Sequence, residues 1–214
     1  PTLYLTLFPY TTLFRSDAQA DCPMAHMVTK EEVEQYRKEY PGLAVVCYIN
    51  STAEIKSWSD VCVTSANAVQ IVRNLPNQDI LFIPDKNLGR YVASQVPEKH
   101  VMLVKGCCPV HDQMSPKEVS GLKKIHPNAL VLAHPECNAQ VLELADYIGS
   151  TTGILKYAAG STSREFIICT EIGVRHELEQ QNPDKQFYFP DTEPICRDMK
   201  KITLDKIIHV LRTG

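Results

Sequence analysis

One stretch limits what this chain can fold into, because it occurs twice. Within Leu130–Thr152, LVLAHPECNAQVLELADYIGSTT, the residues from Val131 on fall on Val45–Ala66, VVCYINSTAEIKSWSDVCVTSA, when slid back 86 positions. Val45 meets Val131, Ala53 meets Ala139 and Asp60 meets Asp146. Polar residues pair as well: Tyr48 with His134, Asn50 with Glu136, Thr64 with Ser150 and Ser65 with Thr151. The same offset carries Asp85 onto Glu171, Pro97 onto Pro183 and Lys99 onto Lys185. A gapless match of this length implies a duplicated fold unit.

Each copy reads as short apolar strands alternating with helices. Leu43–Ile49, Asp60–Val63, Ile80–Ile83 and Val101–Val104 have the strand pattern in the first copy. Ala53–Ser57, Ala66–Asn74 and Asn87–Gln95 have the helical pattern between them. Thr29 with Glu32 forms a capping-box signal for a helix that Tyr40-Pro41-Gly42 stops. Ser115–Ile125 opens the second copy, and Thr203–Arg212 reads as a terminal amphipathic helix. This alternation predicts an α/β fold of repeated three-layer α/β/α units with short parallel sheets. The expected units are 28–113 and 114–214, with 1–27 a leader and remnant. In such sheets chemistry gathers at the turns after the strands, where the paired polar residues lie.

The 214 residues suit two compact domains, and 44% hydrophobic content supports real cores. A net charge of −3 gives no footprint for nucleic acid or a membrane surface. No apolar run approaches the ~20 residues of a membrane span. Eight cysteines in open spacings point to a reducing, cytoplasmic setting with thiols reduced or on metal. The first sixteen residues, PTLYLTLFPYTTLFRS, resemble translated cloning or adaptor sequence and are expected to stand outside the fold.

Three cysteines keep the repeat period. Cys22 lies 86 positions before Cys108, and Cys196 lies 88 after it, each at the tail of a unit. If three units packed about a pseudo-threefold axis, the tails would meet, and three thiolates would hold a metal centre with one position open. Spacing alone supports scattered buried cysteines equally well. Cys47, Cys62, Cys137 and Cys169 fall in or beside strands and read as structural.

Seven segments in order, YINSTAEIKSWSDVCVTSANA, FIPDKNLGRYVA, GCCPVH, HPEC, ADYIGSTTGI, TEIGVRHEL and CRDMKKITL, resemble the successive motifs of the quinolinate synthases of NAD biosynthesis. The resemblance runs from about Asp17 to the end. It implies three homologous α/β/α domains around a [4Fe–4S] cluster, of which this chain would hold two complete units. Cys22, Cys108 and Cys196 take the cluster-ligand positions, and His111 three residues on selects Cys108 over Cys107. The implied reaction condenses iminoaspartate with dihydroxyacetone phosphate to give quinolinate, with a functional link to L-aspartate oxidase or aspartate dehydrogenase. By the same resemblance Glu136, His111 and Tyr48 are the catalytic candidates. Tyr48, Asn50, Ser65, His134, Glu136 and Thr151 are the substrate-binding candidates.

Blander roles stand beside these. Glu136 could be a helix N-terminal carboxylate, the histidines structural, and Ser65 and Thr151 ordinary caps at helix starts. Asp85 and Glu171 are expected to pin loops. A metal-free α/β module binding small carboxylates or phosphates without turnover is the alternative function. The repeat period also leaves less than one full unit before Cys22, so a third unit is expected to be incomplete here, with Cys22 on a loosely held tail, and the chain as given is expected to bind a cluster poorly and to be inactive.

Overall fold

A computed structural model describes residues 16–192 and 194–213. Apart from Ser16, the adaptor-like leader lies outside the described residues. The described residues up to Cys22 and those from Ile195 onward form one compact unit, and Pro23–Pro194 form the other.

In the larger unit a 3-10 turn, Pro23–His26, precedes helix α1, Lys30–Glu39. The Thr29 hydroxyl accepts the Glu32 N–H, as the capping signal requires. Gly42 ends the turn after α1 at φ +90°, a conformation that penalises any Cβ. The chain then runs β1 Ala44–Tyr48, α2 Ala53–Ser57, β2 Val61–Val63, α3 Ala68–Asn74, β3 Asp79–Ile83, α4 Lys86–Gln95 and β4 His100–Leu103. After α5, Pro109–Asp112, and α6, Pro116–Ile125, the order repeats. Strand β5 is Leu130–Ala133, α7 Ala139–Leu142, β6 Tyr147–Ile148, α8 Thr151–Gly160 and β7 Glu165–Cys169. A 3-10 turn, Ile172–Val174, leads to α9 Arg175–Gln181 and β8 Gln186–Tyr188.

The two sheets share one topology. Their orders are β2-β1-β3-β4 and β6-β5-β7-β8, with every pairing parallel. Register repeats too: Ala44 pairs with Ile80 and Leu130 with Phe166, while Ile80 pairs with Val101 and Phe166 with Phe187. Strand β1 is buried along its whole length, as expected of a parallel strand covered on both faces.

The cores are copies as well. Val28, Val33, Leu43, Val45, Cys47, Ile55, Leu81 and Ile83 pack on one face of the first sheet. Their partners 86 positions on, Met114, Val119, Ala129, Val131, Ala133, Val141, Ile167 and Cys169, pack on the second. Leu132, Ile154, Phe166, Ile168 and Leu178 fill its opposite face, following the alternation of side chains along β5 and β7.

Polar fasteners repeat with the cores. Asp60 and Asp146 each accept a strand N–H, from Val45 at 2.7 Å and Val131 at 2.8 Å. Thr52 and Asn138 each cap the short helix that follows the first strand of a sheet. These contacts explain why the gapless match extends into polar positions.

In the smaller unit, helix α10, Leu204–Thr213, carries apolar residues on one side. Lys201 Nζ donates to Gln19 O at 2.9 Å, and Lys206 pairs with Asp17. The tail before Cys22 is therefore tied down by two lysines, contrary to the loose attachment expected from its short side chains. Charge, rather than packing, supplies the handle.

Candidate active site

The polar candidates collect at the carboxyl ends of the strands. Tyr48 ends β1 and His134 follows β5, at equivalent places in the two sheets. His134 N–H donates to Cys169 O and Cys137 N–H to His134 O, both at 3.0 Å, which folds the HPEC segment into a tight turn. Two asparagines clamp that turn. Asn87 Nδ2 donates to Asp112 Oδ1 at 2.8 Å and to Glu136 O at 3.1 Å. Asn138 Nδ2 donates to Asp112 O at 3.0 Å and Met114 O at 2.8 Å.

The GCCPVH segment is fixed separately. A Cβ on Gly106 would run into the Pro84 carbonyl, so only glycine fits there. Asp85 caps α4 by accepting the Asn87 and Leu88 N–H groups at 2.9 and 2.7 Å, and its second oxygen accepts the Cys108 N–H at 2.8 Å. Asp85 thus pins this loop, the structural role expected of it. Burial and the neighbouring Glu136 charge push its carboxyl up to about 7 despite three N–H donors.

These supports bring five of the candidate side chains into one line. His111 Nδ1 lies 3.2 Å from Cys108 Sγ and 3.1 Å from Glu136 Oε2. His134 Nδ1 lies 3.2 Å from the same Glu136 oxygen, and its Nε2 is 3.2 Å from Ser65 Oγ. The two imidazoles stack at 4.8 Å. The Tyr48 hydroxyl interacts with Ser65, extending the line to a sixth. His111 and Glu136 are buried, and Glu136 Oε1 has no hydrogen-bond partner.

Burial and pairing set the charges. Burial alone would lower His111, but its hydrogen bonds to Cys108 and Glu136 outweigh that and push it up to about 10. Burial would raise Glu136, yet the two histidines hold it well below the usual carboxylate range. His134 is lowered, chiefly by burial. Tyr48 is raised by burial and then by the Glu136 charge, so its phenol stays protonated.

Asn50 and Thr151 are exposed and stand outside this hydrogen-bonded group. Helix α8 begins at Thr151, as expected, but one cap and one other helix start differ from expectation. Ser150, not Thr151, caps α8 by accepting the Gly153 N–H at 3.2 Å. Ser65 caps nothing: helix α3 begins only at Ala68, because Asn67 Oδ1 accepts the Thr64 N–H at 2.7 Å and holds a turn there. The Ser65 hydroxyl turns to His134 instead.

Thr170 is a member that sequence reasoning missed. It is buried at the end of β7, and its Oγ1 lies 3.1 Å from His111 Nε2. Its place after a central strand was the available signal, since that is where parallel sheets set functional groups.

A family model described as Quinolinate synthetase A protein matches residues 5–214, beginning inside the leader. The chain belongs to the quinolinate synthase family. Among curated members, the quinolinate synthase of Caldicellulosiruptor bescii is 50% identical over 205 residues, covering 96% of this chain and 68% of the relative. The quinolinate synthase of Fusobacterium nucleatum is 50% identical over 208 residues, 97% of this chain and 69% of that one. That of Methanoregula boonei is 46% identical over 208 residues. As a quinolinate synthase family member, the chain has an enzyme's ancestry, and the buried His–Glu–His group lies where catalysis in a parallel sheet is expected. Among the described residues, no helix is long and apolar enough to cross a membrane.

Proposed function

We propose that this quinolinate synthase family member condenses iminoaspartate with dihydroxyacetone phosphate in the cytoplasm, releasing phosphate and water. L-Aspartate oxidase or aspartate dehydrogenase would supply the imine. The observation that carries this reading is the buried Glu136 carboxylate, one oxygen held between two histidines and the other unpartnered. An orphaned buried oxygen is costly unless a ligand completes it.

The groups divide by charge. Glu136, kept ionised, accepts the proton lost from substrate as new bonds form. His111, kept protonated, returns a proton to a leaving oxygen. Opposed shifts of this kind separate acid from base. His134 and Ser65 orient the carboxylate and bind substrate, and the protonated Tyr48 hydroxyl donates to a substrate carboxylate or carbonyl. Asn50 and Thr151 would contact substrate from the rim.

The donor set fits a [4Fe–4S] centre. Cys22, Cys108 and Cys196 are half-buried, unlike the core residues Cys47, Cys137 and Cys169. Each stands seven positions before a hydroxyl that accepts a helix-start N–H, on Thr29, Ser115 and Thr203. These three thiolates would hold the cluster, which when bound supplies an iron that polarises a substrate hydroxyl. We read 28–113 and 114–214 as the second and third units of the family's pseudo-threefold arrangement.

The test is Glu136→Gln, which keeps shape and removes the titratable group. Quinolinate formation by the anaerobically reconstituted protein carrying a complete first unit tethered before Asp17 should fall ~10²–10⁴-fold, the usual worth of a general acid/base, with iron content retained. Near-normal turnover would reduce Glu136 to a positioning role.

A further inference from the structure

We propose that Glu118 and Thr192 form a clamp that presents Cys196 as a cluster ligand. The proposal rests on the reading of Cys196 as one of three ligating cysteines. It also accounts for a detail of spacing: Cys196 lies 88 positions after Cys108, although the repeat period is 86. Glu118 is half-buried on the first turn of α6. One of its carboxylate oxygens, Oε2, accepts both the Thr192 N–H at 3.1 Å and the Thr192 hydroxyl at 2.7 Å.

Matching hydrogen bonds locate the two extra residues. In the first copy the Lys86 N–H donates to Gly106 O at 2.7 Å; in the second the Ile172 N–H, 86 positions on, donates to Pro194 O at 3.0 Å. Gly106 and Pro194 are therefore equivalent anchors, each two residues before its cysteine. Upstream, Leu103 ends β4, and its repeat partner Phe189 is seated in the core with the Arg175 guanidinium 4.5 Å from its ring. Two residues join these anchors in the first copy and four in the second. The insertion thus falls inside the segment that Glu118 grips.

A longer link between fixed ends has more conformations to lose when it is ordered. The short link of the first copy is braced at its end, where Asp85 holds the Cys108 N–H and Gly106 packs against the Pro84 carbonyl. In the long link, the two Thr192 donors converge on a charged acceptor, the stronger kind of hydrogen bond. Glu118 is itself set by Ser115, whose hydroxyl accepts the Glu118 N–H at 3.3 Å, so the clamp stands on an ordered helix start. Covalent geometry carries the restraint onward. Two residues span at most about 7 Å, so a fixed Pro194 confines the Cys196 backbone to a small volume. A ligand ordered beforehand loses less entropy on binding.

Two readouts test the clamp, and the first needs no metal. In the metal-free chain, amide hydrogen exchange at Ile172 reports whether the Pro194 anchor is held, with exchange at Lys86 as the internal control. Glu118→Ala should speed exchange at Ile172 ~10-fold, as loss of a hydrogen bond to a charged group allows, and leave Lys86 unchanged. Thr192→Val, which leaves α6 intact, should act in the same direction, and Thr192→Ser should restore protection. Glu118→Gln still offers a carbonyl oxygen to both donors, so its exchange should stay close to that of the unmodified protein. The second readout uses protein with a complete first unit tethered before Asp17 and the cluster reconstituted anaerobically. A ferrous-iron chelator should then strip iron ~10-fold faster from Glu118→Ala than from the unmodified protein or Glu118→Gln. Equal Ile172 exchange in the unmodified, Glu118→Ala and Thr192→Val proteins would overturn the clamp, and so would faster exchange with unchanged iron release. Full iron and sulfide in Cys196→Ser would overturn the proposal from the other side, by refuting Cys196 as a ligand; the exchange readout keeps the two failures apart.

Discussion

Asp85 shows how one side chain joins local structure to the site. It caps α4 with one oxygen and holds the Cys108 N–H with the other. Asparagine keeps one oxygen for the helix but turns an amide N–H₂ toward the Cys108 donor. We expect Asp85→Asn to cost ~1–3 kcal/mol, the penalty for a stranded buried donor. Urea denaturation would measure it; an unchanged midpoint would mean that Cys108 finds another acceptor. The group members legible in sequence were those with a repeat partner or a motif: Glu136, His111, His134, Tyr48, Ser65 and Cys108. Asn87 was not legible, and Thr170 only through its place after a central strand. Thr170 acts on His111, 59 positions away, and Asn87 on Glu136, 49 away, across the two sheets. Neither contact leaves a trace in local pattern.

At the scale of elements, the strands lie where apolar runs placed them, and the 86-residue offset predicts each pairing in the second sheet from the first. The start of α3 was less legible, because the turn that Asn67 holds with the Thr64 N–H delays the helix to Ala68. One polar pair from the repeat turns out to fasten helix ends. Lys99 Nζ donates to Leu75 O at 2.6 Å and Asn77 O at 2.9 Å. Lys185 Nζ donates to Ala158 O at 2.6 Å and Ser161 O at 2.9 Å. Each ammonium thus satisfies carbonyls in the segment following a helix or in its last turn, where cations are favoured. Lys99→Met and Lys185→Met keep the apolar stem and remove the donors. Each should cost ~1.5–3 kcal/mol, the range for hydrogen bonds to charged groups, and the two losses should be alike. A large cost at one site and none at the other would show that the repeat preserves geometry there without preserving energetics.

Across the whole molecule, the spacing from cysteine to capped helix occurs three times, although only two sheets are present among the described residues. Cys22, Cys108 and Cys196 precede helices α1, α6 and α10, each of ten residues. The matching apolar positions have different fates. Val33 on α1 and Val119 on α6 are 0% exposed, whereas Ile207 on α10 is 40% exposed. Ahead of those helices, Val28 and Met114 are 5% and 4% exposed, whereas Ile202 is 48% exposed. A sequence pattern reports that a face is apolar but not whether anything covers it, so this difference could not be read in advance. It gives a direct comparison. Val33→Ala and Val119→Ala open cavities beneath a sheet and should each cost about 1–3 kcal/mol. Ile207→Gln keeps a good helix former on an exposed face and should change stability by no more than about 0.5 kcal/mol. It should also raise the concentration at which the protein self-associates in sedimentation velocity, because an exposed apolar stripe promotes association. If Ile207→Gln destabilises the chain as much as Val33→Ala does, the α10 face is already part of a core within this chain, and the third occurrence of the spacing marks a packed helix rather than an open one.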